Sequence, residues 1–236
     1  TQITAVSGTG ASSSVTADFT ADAAPTIDLV SADDRINDTE NTAGFNLTGT
    51  GVNGSTVTVS GFENGIADKT ATVTGGVWSI AIVDADLADD GSNTLSATQT
   101  DAAGNVSPAS ADRVLTTDLT ADAAPTIDLV SADDRINDTE NTAGFNLTGT
   151  GVNGSTVTVS GFENGIADKT ATVTGGVWSI AIVDADLADD GSNTLSATQT
   201  DAAGNVSDAV TRDITTDLTA PTASNVTIAS NNATNT

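Results

Sequence analysis

The chain is 236 residues long, 37% hydrophobic and 3% aromatic, a globular composition with enough apolar material for two small cores. Its 32 Asp plus Glu oppose 6 Lys plus Arg, for a formal net charge of -26, which repels nucleic acid and anionic membrane surfaces and attracts cations. Cys, Met, His and Tyr are absent, so thiol and imidazole chemistry is excluded and a metal could be held only by hard oxygen ligands.

The chain contains an exact internal copy: residues 20–107 recur without change at 120–207. Within the first copy, apolar residues alternate over short runs bounded by Gly, Asn and Asp, which is the strand period. In chain order the predicted strands are 26–31, 44–50, 55–61, 70–74, 77–83, 93–100 and 112–117, separated by turn sequences such as Val52-Asn53-Gly54 and Ala102-Ala103-Gly104-Asn105. Seven antiparallel strands in about 100 residues read as an immunoglobulin-type sandwich. The fold class is therefore all-β, with tandem seven-stranded immunoglobulin-like β-sandwiches in a linear array. Trp78 alternates with Ile80 and Ile82, which assigns it to the buried face as a core anchor rather than to sugar stacking.

The repeat spacing predicts four segments: residues 1–19 as the last strand and linker of a preceding domain, 20–119 as the first Ig-like repeat, 120–218 as the second, and 219–236 as the first strand of a different, following domain. Pro25, Pro125 and Pro221 each begin a first strand, where no ladder donor is needed. The linkers differ: the middle one runs Asp118-Leu119-Thr120-Ala121-Asp122-Ala123-Ala124-Pro125, whereas the last runs Asp217-Leu218-Thr219-Ala220-Pro221.

Strands that alternate in direction bring particular loops to one end of a sandwich. The acidic 33–40 and 84–91 loops fall at the end where the last strand exits, and the 101–105 loop falls at the opposite end. The middle junction is thus expected to gather Asp33, Asp34, Asn37 and Glu40 with Asp118, Asp122, Asp201 and Asn205. Equivalent positions are Asp18, Asp22, Asp101 and Asn105 before the first copy, and Asp133, Asp134, Asn137, Glu140 and Asp217 after the second. Carboxylates converging at about 4 Å repel by roughly 4 kcal/mol per pair at an effective dielectric near 20, a cost that a divalent cation removes. Ca²⁺ fits such oxygen donors because it accepts six to eight of them in tolerant geometry. The competing reading is that Asp and Asn serve only as Asx-turn formers and solubilising surface residues, and it is strongest for the 84–91 loop and for Asp101. Asp84-Ala85-Asp86 starts like an EF-hand loop, but Ala88 occupies the third ligand position, and the glycine-rich nonapeptide of calcium β-rolls is absent.

Four motifs, Asp33-Asp34-Arg35-Ile36-Asn37, Val77-Trp78-Ser79-Ile80-Ala81-Ile82, Thr100-Asp101-Ala102-Ala103-Gly104-Asn105 and Thr219-Ala220-Pro221-Thr222, in this order and spacing, resemble the bacterial immunoglobulin-like repeats of giant secreted adhesins, including the extender regions of RTX adhesins and biofilm-associated proteins. The resemblance covers the whole chain. It implies an extracellular β-sandwich array on a bacterial cell surface, rigidified by calcium at its junctions so that a distal ligand-binding region projects from the cell. Carried over by position, it implies Asp33, Asp34, Asn37, Asp118 and the Asp101 type of position as ligands. The inserted Ala121-Asp122-Ala123 departs from the shorter family linker and adds Asp122 as a candidate.

Three function classes follow. A structural extender is the leading one, its partners being neighbouring Ig-like domains of the same chain in a monomer that neither inserts into membrane nor binds nucleic acid. A direct binding module for sugar, ice or a partner protein is the alternative, resting on Thr56, Thr58, Thr70, Thr72 and Thr74 on an outer face. An enzyme is not expected, because carboxylate pairs alone would need a cleft that small tandem sandwiches rarely supply.

Overall fold

Val57 and Val59 alternate with Thr56 and Thr58, and Leu95 and Ala97 alternate with Thr94 and Ser96; these patterns bury one face and solvate the other. The computed structural model describes residues 2–6, 12–63 and 65–222, and such alternation produces two β-sandwiches in it. The chain divides into two units, Thr1–Asp122 with Thr200–Ser207, and Ala123–Gln199 with Asp208–Thr236.

In the first unit, β1 (Gln2–Val6) and β2 (Ser12–Thr16) form an antiparallel hairpin in which Gln2 lies opposite Thr16. The sandwich comprises β3 (Arg35–Ile36), α1 (Asp38–Ala43), β4 (Phe45–Thr50), β5 (Thr56–Ser60), β6 (Lys69–Thr72), β7 (Val77–Ile82), β8 (Gly91–Thr100) and β9 (Arg113–Thr117). One sheet has the order β3-β9-β8-β5-β6 and the other pairs β4 with β7. Between them lie Ile36, Leu47, Val57, Val59, Trp78, Ile82, Leu95 and Leu115, all nearly inaccessible to solvent. Trp78 anchors this core as expected, 2% exposed, with its indole Nε1 donating to the Thr50 carbonyl at 3.2 Å.

The second unit repeats the plan with β10 (Arg135–Asn137), α2 (Asp138–Ala143), β11 (Phe145–Thr150), β12 (Thr156–Ser160), β13 (Lys169–Thr172), β14 (Val177–Ile182), β15 (Asp190–Thr200) and β16 (Val210–Asp217). Its sheet orders are β10-β16-β15-β12-β13 and β11-β14, around an equivalent core.

Three local features differ from the alternation pattern. The 26–31 run lies along β4, with the Thr26 amide donating to the Thr50 carbonyl and the Asp28 amide to the Thr48 carbonyl, but it is not a regular ladder strand. The Thr50 amide donates to the Thr26 hydroxyl instead of its carbonyl, so the pairing is one-sided. The chain then crosses to the other sheet, where β3 pairs in parallel with β9, Ile36 opposite Thr117. Finally, a helix stands in the expected acidic loop: Asn37 caps α1 by accepting from the Glu40 amide, while Glu40 accepts from the Asn37 amide. That reciprocal capping box stabilises a helix too short to show apolar periodicity.

Gly49 is required by a close crossing, since a Cβ there would meet the Thr26 carbonyl oxygen at 1.9 Å and the Trp78 ring at 2.6 Å. Among the described residues no helix is long and apolar enough to cross a membrane. In the 219–236 segment expected to open a following domain, residues 223–236 lie outside the described residues.

Candidate functional site

The first unit includes the 200–207 loop, and there the structure brings several of the expected residues together. Asp201 begins an Asx turn: its Oδ1 accepts from the amides of Ala203, Gly204 and Asn205 at 2.8, 2.8 and 2.9 Å. The Asn205 side chain, 7% exposed, joins three segments. Its Oδ1 accepts from the Asp38 amide at 3.0 Å, and its Nδ2 donates to the Asp118 carbonyl at 2.7 Å and to Asp201 Oδ2 at 2.8 Å. Asn37 Nδ2 adds a bond to the Ala203 carbonyl at 3.1 Å. A cavity of about 270 Å³ opens beside them, lined in part by Asp38, Thr39, Leu119, Ala121 and Asn205.

The electrostatics of this cluster are uneven. Burial first, then the charge of Asp201, with Asp90 and Asp122 adding, pushes the Asp118 carboxyl above its ordinary 3.8, against a Thr120 amide that favours the ionised form. For Asp201, burial works to raise the carboxyl, but the Asn205 side chain and the amides of Asn205, Ala203 and Gly204 together hold it below the ordinary value. Asp118 is thus the strained member of the pair. Asp90 was not among the expected ligands, yet it fixes the linker, since its Oδ1 accepts from the Leu119 amide at 2.7 Å and its Oδ2 from the Thr120 hydroxyl at 3.1 Å. Its position in the 84–91 loop was the available signal.

Other expected ligands are committed elsewhere. Asp34, at φ 61°, accepts from the Val30 amide through Oδ1 and pairs with Arg113 through Oδ2 at 2.8 Å. Asp33 accepts from the Arg35 amide, and Glu40 accepts from the Ser31 hydroxyl while closing the capping box. Near the hairpin, Asp18 accepts from the Thr20 amide, and its carbonyl accepts from Asn105 Nδ2 at 3.2 Å. Asp22 accepts from the Ser55 hydroxyl at 2.5 Å. The Asn105 side chain, with amides of its loop, lowers the Asp101 carboxyl.

In the second unit the same local contacts recur. Asp133 accepts from the Arg135 amide, Asp134 pairs with Arg212, Asn137 caps α2 with Glu140 closing the box, and Asp217 accepts from the Thr219 amide.

Among the described residues no group of three or more Asp and Glu side chains is arranged to hold a metal ion. A cation near Asp118 would therefore rely on the Asp118 and Asp201 carboxylates, with carbonyl and water oxygens completing its shell. Such a donor set suits Ca²⁺, which accepts carbonyls and waters readily, better than an ion that demands rigid octahedral geometry.

A family model described as "Bacterial Ig domain" matches residues 21–118 and again 121–216. No curated protein is similar enough to the chain to count as a relative. Among solved structures, the chain is similar to part of a 1.5-MDa bacterial ice-binding adhesin, at 28% identity over 89% of this chain and 69% of that one, with a TM-score of 0.44. It is similar to a Ca²⁺-stabilized adhesin that helps an Antarctic bacterium reach out and bind ice, at 28% identity over 93% of this chain and 57% of that one, TM-score 0.48. A tetra-tandem repeat in the extending region of a large adhesion protein is 26% identical over 90% of this chain and 55% of that one, TM-score 0.33. The chain thus spans little more than half the length of the last two.

Proposed function

The chain belongs to the bacterial Ig domain family, and from that premise we propose that it is an extender segment of a bacterial surface adhesin, stiffened outside the cell by Ca²⁺ where one repeat runs into the next. The observation that carries this reading is the Asp118 carboxyl, raised by burial and by Asp201. Its ionised form is less favourable there than in open water, and a divalent cation would supply the missing counter-charge.

In this reading Asp118, Asp201 and Asp122 are the principal ligands at the middle junction, with Asp90 holding the linker in register. Asn205 and Asn37 position the 200–207 loop. An ion held there would be shared among these oxygens and would restrain the linker. Asp18 with Asp101, and Asp217, occupy the corresponding positions for the flanking junctions. Binding to the folded state alone stabilises it by about 2.7 kcal/mol at a calcium concentration a hundredfold above Kd, and extracellular modules commonly have Kd near 10⁻⁴–10⁻³ M. Stiffness would then appear on export. The domain boundaries proposed for the array are 1–19, 20–119, 120–218 and 219–236, and the working unit is a monomer whose partners are its own neighbouring domains. The identical repeats and the likeness to adhesin repeats accord with a part selected for length.

Small-angle scattering and thermal melting in EDTA and then in calcium test this. The maximum dimension should become better defined and the melting temperature should rise; identical values in both conditions sink the calcium part.

A direct binding module is the second reading. It is favoured by a trough of about 530 Å³ lined by Asp28, Thr48, Thr72, Thr74, Val77 and Ser79, which recurs at about 560 Å³ in the second unit. Glycan-array and ice-affinity capture of the isolated repeats, positive at saturating calcium, would favour it over the extender.

A further inference from the structure

The Asn and Thr content of the chain creates eight Asn-x-Ser/Thr sequences between residues 20 and 222, at Asn37, Asn46, Asn53 and Asn105 and at their copies Asn137, Asn146, Asn153 and Asn205. Such a tripeptide is the acceptor signal for N-linked sugar. The fold separates these eight sharply. Asn37 and Asn137 are helix caps, their Oδ1 atoms accepting from the amides of Glu40 and Glu140. Asn53 and Asn153 accept from the amides of Gly75 and Gly175 at 2.7 Å. Asn105 and Asn205 donate to Asp101 and Asp201 within their turns.

Asn46 and Asn146 remain. Both are exposed on strands β4 and β11, and among the described residues neither side chain makes a hydrogen bond. Strand geometry sends Asn46 and Thr48 to the same face, where the Thr48 hydroxyl donates to Asp28 Oδ2 at 2.9 Å and the Thr148 hydroxyl likewise to Asp128, so the acceptor amide is free and the hydroxyl two residues on is held beside it. Beside each Asn lies a shallow depression, about 270 Å³ at Asn46 and about 290 Å³ at Asn146. On the outer face its lining includes the exposed Ala81, opposite Asn46, and the 54% exposed Val83, an apolar shelf on which the C–H face of a pyranose can lie. An attached sugar would cover that shelf without disturbing either sheet.

We propose that Asn46 and Asn146 are N-glycosylation acceptors, each carrying a sugar on Nδ2 drawn from a lipid- or nucleotide-linked donor. The new bond joins Nδ2 to the anomeric carbon, the bond from that carbon to the donor phosphate breaks, and one Nδ2 proton is lost as the phosphate leaves with its electron pair. This rests on the surface-adhesin reading only in requiring that the chain meet a glycosyltransferase on its way out of the cell.

The test is intact-mass and glycopeptide analysis of the chain recovered from the surface of the cells that make it, beside Asn46→Gln, Asn146→Gln and Asn53→Gln variants. The expected result is whole sugar units on the peptides holding Asn46 and Asn146, lost one site at a time in the first two variants and retained in the third. Surface-located chain with both asparagines bare, or with sugar only on the capping or turn asparagines, overturns the proposal. Chain absent from the surface overturns the extender reading, and this one with it.

Discussion

Asn205→Ala probes the part of the candidate site that geometry defines best. The substitution removes the acceptor for the Asp38 amide and the donor to the Asp118 carbonyl, while the Asn37 bond to Ala203 remains. At about 1 kcal/mol net for each lost bond, the 200–207 loop loosens from Asp38 and Asp118 by roughly 2 kcal/mol. That corresponds to about a thirtyfold rise in the opening constant. Hydrogen exchange by NMR in EDTA reads it directly, because the Asp38 amide is protected by Asn205 Oδ1. Asp138, with the same sequence neighbours, is the internal control, and Asn105→Ala controls for loss of an Asn from a turn of the same sequence. The expected outcome is roughly thirtyfold faster exchange at Asp38 in Asn205→Ala, with Asp138 unchanged and Asn105→Ala behaving as the parent protein. Unaltered Asp38 exchange in Asn205→Ala would refute the reasoning, since among the described residues Asn205 Oδ1 is the acceptor that holds that amide.

Asp118→Asn should raise the melting temperature in EDTA by removing a disfavoured charge and should abolish the calcium response; lower stability in EDTA would show that Asp118 is not strained. The same group sets a pH dependence. Because folding raises the Asp118 pKa, its contribution is fully present below the ordinary value of 3.8 and is lost as pH rises through the raised value, so the advantage of Asp118→Asn in EDTA should grow over that window. Asp101 and Asp201 act oppositely: their lowered pKa values contribute stability above 3.8 that is lost as pH falls through the depressed values, and melting of Asp201→Asn against the parent through the acid range should show a shrinking difference. Gly49→Ala forces a Cβ to 1.9 Å from the Thr26 carbonyl oxygen, an overpacking cost of about 1–3 kcal/mol, or roughly 4–24 °C in Tm for a domain of this size. Unchanged melting would mean that the 26–31 segment does not cross β4 as described.

The sandwich was legible because its strands are long enough for period 2 to speak: β5, β7 and β8 lie within a residue or two of the alternating runs, and Trp78 is buried where alternation puts it. What escaped was set by single contacts. The 26–31 run alternates as a strand should, yet the Thr26 hydroxyl takes the Thr50 amide and breaks the ladder. The two residues of β3 are too few to carry a pattern. The Asn37-to-Glu40 spacing signals a capping box, but the acidic content of the same residues drew the reading toward ligands. For the site, loop placement was readable and side-chain commitment was not: Arg113 lies 79 residues beyond Asp34, and no local signal announces that it will occupy that carboxylate.

If the linkers bind calcium as proposed, their fastening narrows where that chemistry can differ. Asp90 holds the Leu119 amide at 2.7 Å and the Thr120 hydroxyl at 3.1 Å, and Asp190 holds the Leu218 amide and the Thr219 hydroxyl at 2.7 and 3.0 Å. The start of each linker is therefore delivered in the same way, and identity of the repeats cannot separate them. Divergence begins two residues later, after Ala121 and Ala220, where Asp122-Ala123-Ala124-Pro125 contrasts with Pro221. Asp122 contributes to the raised Asp118 carboxyl, and the shorter linker has no residue in its place. On the proposed calcium reading, the part of any affinity difference that arises from the linkers themselves traces to one carboxylate, Asp122, because the identical repeats deliver both linkers in the same way, and linker sequence is then one variable by which such an array can grade its stiffness along its length.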